Sequence, residues 1–182
     1  MPPLQDWANF YVIVGSSAAA LTGLQFVVMA LLNDTSNVVG GEEELSAYAT
    51  PKIVHFSAVL LISAICAMPH QSDNSLGICL IVTGFAGVIY AAFVWTAAQK
   101  TRQYTPVLED WIFHVILPIS GYALLFASGI AELGAHEGAL YIVASVVLIL
   151  LFVSIHNAWD TAVYISQTSR QRAKEPRADE SA

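Results

Sequence analysis

The sequence predicts an all-α integral membrane bundle of five transmembrane helices, and two observations carry this prediction. The chain has 182 residues, of which 56% are hydrophobic and only 12% are charged, about half the charged fraction of an ordinary soluble domain. Five nearly charge-free runs, each of roughly 20 residues, are separated by short polar segments. A helix of that length crosses the hydrocarbon core of a bilayer and satisfies its own backbone groups there.

The five apolar runs lie at residues 8–32, 52–68, 75–98, 112–131 and 139–159. We expect the first run to be a retained span, because no basic residue precedes it and it is longer than the core of a secretory signal. Residues 1–165 are predicted to form one helical domain. Residues 166–182 are rich in charged and small polar side chains, which predicts a polar, partly disordered cytoplasmic tail.

The basic residues indicate the orientation, because all of them fall on one side of a five-span arrangement. They are Lys52, Lys100, Arg102, Arg170, Arg172, Lys174 and Arg177. Positively charged loops stay in the cytoplasm, so we predict an N terminus outside and a C terminus inside. The formal net charge of −7 comes from acids in the loops and gives no indication of nucleic-acid binding. The predicted partner is the lipid bilayer.

The first span carries small and polar residues in a pattern typical of helix contacts. Gly15, Ala19 and Gly23 are four positions apart and let another helix approach closely. The polar groups of Thr22 and Gln25 are costly against lipid, so they should face another helix, a second copy of the chain or water. Both an interhelical hydrogen bond and the lining of a pore are consistent with this pattern.

Two cysteines fall near the predicted outer ends of the second and third spans. A hairpin of these spans would bring Cys66 and Cys79 to similar depth on the oxidising side of the membrane. The sequence leaves open whether they form a disulfide or stay free, because bridge geometry is demanding.

Three histidines fall near the predicted cytoplasmic ends of different spans. Their distances from the boundaries of the apolar runs indicate that they lie at a similar depth. They are His55, His114 and His156, and two of them have a carboxylate one helical turn closer to the water. Asp110 precedes His114 by four residues and Asp160 follows His156 by four, so each pair can share a helix face.

Imidazoles from several helices, with carboxylates as further ligands or as orienting groups, are what a divalent metal such as zinc requires. With an open coordination position such a site could activate water for hydrolysis of a lipid-like substrate. The competing interpretation is an unmetallated polar cluster, structural or part of a proton or ion path, since histidines also gather at the polar interface. Haem is not expected, because no histidine pair is predicted at mid-membrane depth.

Three segments, FYVIVGSSAAALTGLQFV, EDWIFHVILP and IHNAWDTAVYI, resemble a group of small, uncharacterised bacterial membrane proteins. This resemblance implies a multi-pass protein of the bacterial cytoplasmic membrane and brings no function with it. The placement of His and Asp at helix ends is also loosely similar to the seven-helix zinc hydrolases of the alkaline ceramidase and adiponectin receptor superfamily. The chain departs from that pattern in its five spans and in having His156 and Asp160 where the superfamily has two histidines, so we transfer no residue roles.

These observations leave three functional hypotheses, and the sequence does not decide whether the protein is an enzyme. The first is a metal-dependent hydrolase with His55, His114, His156, Asp110 and Asp160 at its site. The second is a homo-oligomeric channel or transport component with a polar first helix and pH-sensitive inner histidines. The third is a non-catalytic membrane subunit that recruits a partner.

Overall fold

The computed structural model describes residues 4–34, 42–98, 108–134, 136 and 138–174, and it is helical throughout these elements. A 3₁₀ turn at Leu4–Trp7 leads into α1. The helices are α1 at Ala8–Asp34, α2 at Glu42–Cys66, α3 at Asp73–Ala98, α4 at Leu108–Trp111, α5 at Leu117–Leu133 and α6 at Ala139–Lys174. Ile112–Ile116, between α4 and α5, form a π-helical turn. No strand occurs among the residues described.

Four segments within the described residues are long and apolar enough to cross a membrane, namely Leu4–Ala30, Asp73–Thr96, Ile112–Leu133 and Ala139–Val163. This confirms the prediction of a membrane-like helical bundle. The predicted second span differs, because its apolar part is the shorter segment Ile53–Cys66. The helix that contains it begins earlier, at Glu42.

The last helix also extends further than the sequence predicts. The structure continues α6 through Lys174, past the predicted domain boundary at residue 165. Its final turns carry basic residues, which stabilise the helix because their positive charge lies near the negative end of the helix dipole. Residues 175–182 lie outside the described residues, so the partly disordered tail stays a prediction there.

The helices pack in a chain of neighbours that is not their order in the sequence. α1 lies on α2, α2 lies on α6, α6 lies on α5, and α5 lies on α3. The core between them consists of apolar side chains such as Phe56, Leu80 and Val146. The outward faces carry exposed large apolar residues, including Phe26, Phe85 and Phe152. Apolar surface on both sides of each helix is typical of a bundle that is solvated by lipid.

Glycines bring α3 and α5 into backbone contact. A Cβ atom built on Gly84 would lie 2.5 Å from the backbone nitrogen of Phe126, and one built on Gly129 would lie 2.7 Å from the carbonyl oxygen of Gly77. Side chains cannot occupy such positions, so only glycine permits this separation. Close approach through small residues is a main source of helix association in lipid, where the hydrophobic effect between helices is absent.

The predicted small-residue face of α1 is used only in part. Gly15 packs against α2, and a Cβ atom there would lie 2.8 Å from Cβ of Ser63. Among the described residues, nothing lies within 4 Å of a Cβ built on Gly23, and Ala19 is exposed. In this part of the chain, the close contact predicted for α1 is therefore made at Gly15 and not at the other two positions.

Candidate functional site

The polar side chains inside the bundle form two clusters at different heights. We call the end that carries His114 and His156 the histidine end, and the end that carries Glu132 and Cys66 the glutamate end. Both clusters contain side chains that are almost completely buried: His55 is 4% exposed and Glu132 is 2% exposed. An ionisable group buried within a membrane bundle is costly, so it marks a functional site unless a structural role accounts for it.

His55 on α2 is paired with a tyrosine on α5. Its Nδ1 atom lies 2.8 Å from the hydroxyl of Tyr122, and both residues are buried. The direction of this hydrogen bond depends on which imidazole nitrogen carries the proton. The ring of Tyr90 on α3 meets the His55 ring edge-on, with the ring centroids 6.2 Å apart. Gly87 makes room for the Tyr122 ring, because a Cβ there would lie 2.1 Å from its Cδ1 atom.

His114 lies in the π-helical turn, and the sequence explains why the helix is irregular at this point. Pro118 has no N–H to donate to a carbonyl one turn earlier. The N–H of Leu117 bonds instead to the carbonyl of Ile112, five residues back. The next bond of this π-helical pattern would join the carbonyl of Phe113 to an N–H at position 118, which proline lacks. The carbonyl of Phe113 is thereby left without a backbone donor. Single π-helical turns often occur at functional sites.

A side chain from α6 supplies the missing donor. Nδ2 of Asn157 donates to the carbonyl oxygen of Phe113 at 3.4 Å, and Asn157 is 2% exposed. The Oδ1 atom of the same amide has no hydrogen-bond partner among the described residues. Since an unsatisfied carbonyl in a dry interior is expensive, this bond fixes α6 against the irregular turn that carries His114.

His156, the residue before Asn157, forms the second histidine pair. Its Nε2 atom lies 3.2 Å from Oδ2 of Asp160, as the four-residue spacing predicts. Its ring is stacked on Phe113, with the centroids 3.7 Å apart and the planes 21° apart. His156 is therefore next to the turn that carries His114. The side chain of the predicted partner Asp110 lies outside the described residues.

We expect Asn157→Ala to lower the free energy of unfolding by about 1–2 kcal/mol, because it leaves the Phe113 carbonyl unsatisfied. Pro118→Ala provides the matched background, since it restores an N–H that can reach this carbonyl. In that background Asn157→Ala should cost less. A double-mutant cycle of unfolding by SDS titration measures the difference, and strictly additive costs would contradict this role of Asn157.

The positions of His55 and His114 along the bundle can be compared through Tyr122. Tyr122, the partner of His55, lies eight residues beyond His114 along the same helical segment, roughly 12 Å at 1.5 Å per residue. His55 therefore sits near the middle of the Ile112–Leu133 span. His114 is still near enough to act on it electrostatically. No group of three or more His, Cys, Asp or Glu side chains suited to a metal ion is found among the described residues, and the metal site stays a prediction.

The remaining predicted residues are Thr22 and Gln25 on α1 and the two cysteines. The hydroxyl of Thr22 donates to the carbonyl of Ala18 on its own helix at 2.8 Å, which satisfies it without a partner helix. Gln25 is partly exposed on α1. Cys66 and Cys79 are both free thiols.

The glutamate end contains a cluster that the sequence did not predict. Glu132 follows the predicted fourth apolar run, which ends at residue 131, but it lies in α5 and is buried. Its carboxyl group acts electrostatically on the Tyr11 hydroxyl and on the Cys66 thiol, which themselves interact. The Tyr11 hydroxyl has the Cys66 thiol as its neighbour, whereas Ser63 Oγ and Glu132 Oε2 are buried and have no hydrogen-bond partner among the described residues.

An apolar layer separates the two clusters. Glu132 lies ten residues beyond Tyr122 on α5, roughly 15 Å along the helix axis. Most of the buried side chains between them are apolar, including Val59, Ile62, Leu125, Val146 and Val147. The hydroxyl of Ser128 also lies there, and it donates to the carbonyl of Leu124 on its own helix at 2.7 Å. Interiors of this kind stay dry, so the layer isolates one polar cluster from the other.

Over the residues that the structure describes, the fold and these clusters define a helical protein with four candidate membrane spans and ionisable groups buried at two heights. A scan with protein-family models finds no match, and searches of curated proteins and of solved structures also find none. Its function must therefore be argued from its own residues.

Proposed function

We propose that the protein is a proton-handling transport component of the bacterial cytoplasmic membrane. The observation that carries this proposal is the burial of ionisable side chains in both clusters, His55 at 4% and Glu132 at 2% exposure. Buried Asp, Glu and His side chains are typical of proton relays in membrane proteins. This conclusion favours the transport hypothesis over the hydrolase hypothesis.

The arrangement supports a stepwise proton path better than an open pore. On one side of the apolar layer, Tyr122, His55 and His114 offer groups that can accept and release protons. On the other side, the carboxyl group of Glu132 can accept and release a proton, and it acts electrostatically on Tyr11 and Cys66. A dry constriction between two polar regions is a gate, because passage requires that it be wetted or that the helices move.

In this proposal α2 also crosses the membrane, in addition to the four candidate spans. Its 25 residues extend about 37 Å at 1.5 Å per residue, which exceeds the hydrocarbon thickness of a bilayer. The histidine end then faces the cytoplasm, where the basic loops lie, and the glutamate end faces outward. The divalent-metal site and the associated hydrolysis are kept as a second proposal, which is supported by the position of His156 and its Asp160 partner beside the His114 turn.

Proton flux into liposomes that contain the purified protein and a pH-sensitive dye tests the proposal. With a membrane potential applied, we expect flux above that of protein-free liposomes. Glu132→Gln and His55→Phe should each reduce it to the protein-free rate, because each removes a titratable group from the path. The matched controls are at exposed positions: Asp6→Asn also replaces a carboxylate by its amide, and His70→Phe also replaces an imidazole by a phenyl ring. The absence of flux in the wild type, or equal flux in Glu132→Gln, would exclude the proposed path.

A further inference from the structure

The two cysteines belong to neighbouring helices that meet at the glutamate end. Cys66 is the last residue of α2, and Cys79 lies in the second turn of α3. Only residues 67–72 connect the two helices, so they run in opposite directions. The ring of His55 on α2 meets the ring of Tyr90 on α3, with the centroids 6.2 Å apart. This contact fixes how the two helices are aligned.

The spacing of the cysteines from this contact places them at the same height. Cys66 follows His55 by eleven residues, and Cys79 precedes Tyr90 by eleven residues. Eleven residues make about three turns of α-helix, roughly 16 Å along the axis, and return a side chain to the same face within about 20°. Because the helices are antiparallel, each cysteine lies three turns from the contact, towards the glutamate end, on the face that makes the contact.

The packing of the two side chains agrees with this alignment. Cys66 is 2% exposed and belongs to the buried core, and Cys79 is partly buried against the same core. The two groups are near enough to act on each other electrostatically, and both are free thiols in this structure. Cys79 is the more accessible of the two, so a reagent from outside the bundle reaches it first.

We propose that Cys66 and Cys79 are a redox-active pair that closes to a disulfide by exchange with an external disulfide. The thiolate of Cys79 attacks one sulfur of the external disulfide and releases the other half as a thiol. The thiolate of Cys66 then attacks Sγ of Cys79 and releases the second half as a thiol. The chain gains one S–S bond and gives up two protons and two electrons, which the two released thiols carry away.

The bridge would add a covalent link between helices at different places in the bundle. α3 lies at one end of the row of neighbouring helices, where it packs mainly on α5, whereas α2 packs on α1 and α6. A disulfide stabilises a fold chiefly by restricting the unfolded chain. The oxidised protein should therefore unfold at a higher fraction of SDS than the reduced protein. This pair does not depend on proton transport, because its closure needs only the two thiols and an oxidant.

Reaction with the small, uncharged disulfide dithiodipyridine tests the proposal. The reduced protein is held in lipid nanodiscs at one chain per disc, and its intact mass is followed by mass spectrometry. We expect the wild type to lose two hydrogen atoms and to keep no pyridylthio group, because the second thiol displaces that group. Cys66→Ser should keep the group on Cys79, because it has no second thiol.

A matched control moves the second thiol to the wrong face of α3. Ile78→Cys combined with Cys79→Ser shifts the thiol by one residue, which turns it by about 100°, to a position that is 56% exposed. This variant should keep its pyridylthio group and leave Cys66 reduced. A pyridylthio group that persists on the wild type, or equally fast bridging in the control, would overturn the proposal. Proton flux in liposomes is measured separately, so failure of either proposal is distinguishable from failure of the other.

Discussion

Gly84→Ala is expected to destabilise the bundle by about 2 kcal/mol or more, although it adds only one methyl group. The methyl carbon would lie 2.5 Å from the backbone nitrogen of Phe126 and 2.8 Å from its Cα atom. These are main-chain atoms of a packed helix, so they cannot move aside as the end of a flexible side chain can. α3 and α5 must separate, and the packing along the whole contact is weakened.

Gly23→Ala is the matched control for this change. It adds the same methyl group to a spanning helix, but nothing lies within 4 Å of the new atom. The gain in helix propensity is the same at both sites, up to about 1 kcal/mol in favour of alanine. Unfolding by SDS titration measures both variants against the wild type. Equal stabilities of Gly84→Ala and Gly23→Ala would contradict the backbone contact between α3 and α5.

The sequence was sufficient to predict the helical membrane architecture, because that prediction depends on composition and run length. The third predicted span, residues 75–98, coincides almost completely with α3 at Asp73–Ala98. The ends of α2 and α6 were predicted less well. Glu42–Glu44 at the start of α2 and the RQRAK segment at the end of α6 are polar, so they do not count toward an apolar run. They nevertheless stabilise helix, because acidic residues interact favourably with the N-terminal end of the helix dipole and basic residues with its C-terminal end. A search for hydrophobicity alone cannot detect polar helix of this kind.

The candidate site was predicted only where the relevant residues are close in sequence. The pairing of His156 with Asp160 follows from the four-residue spacing, and the structure contains it. The irregular turn at His114 could have been anticipated, because Pro118 follows it by four residues and removes a backbone donor. The hydrogen bond that Asn157 donates to this turn could not have been anticipated, since it requires knowing that α6 packs there.

Contacts between distant helices account for what the sequence did not reveal. His55 was placed near the interface because the apolar run begins at residue 52, whereas its bond to Tyr122 puts it deeper. Glu132 closely precedes a short polar stretch, so it resembled a loop residue. Its carboxyl group acts electrostatically on Tyr11 and Cys66, which come from two other helices. Neither arrangement leaves a periodic signal in a single sequence.

Three exposed positions are expected to lie on defined sides of the membrane, and labelling from one side gives an all-or-none result for each. Gln5, Ser72 and Ser166 are exposed, and each can be changed to Cys in a background in which Cys66 and Cys79 are replaced by Ala. α1 and α2 lie between Gln5 and Ser72. α3, the π-helical turn with α5, and the apolar part of α6 at Ala139–Val163 lie between Ser72 and Ser166. If five helices cross, the first two positions share one side and the third is on the other.

The proposed proton path depends on five membrane-crossing helices, because the two buried clusters can serve such a path only if they open to opposite sides of the membrane. The most direct measurement is labelling of the three single-Cys variants in intact cells with a membrane-impermeant maleimide, before and after permeabilisation. We predict labelling at Gln5→Cys and Ser72→Cys in intact cells, and labelling at Ser166→Cys only after permeabilisation. Labelling of Gln5→Cys and Ser72→Cys from opposite sides would show that α2 does not cross, and would contradict the account.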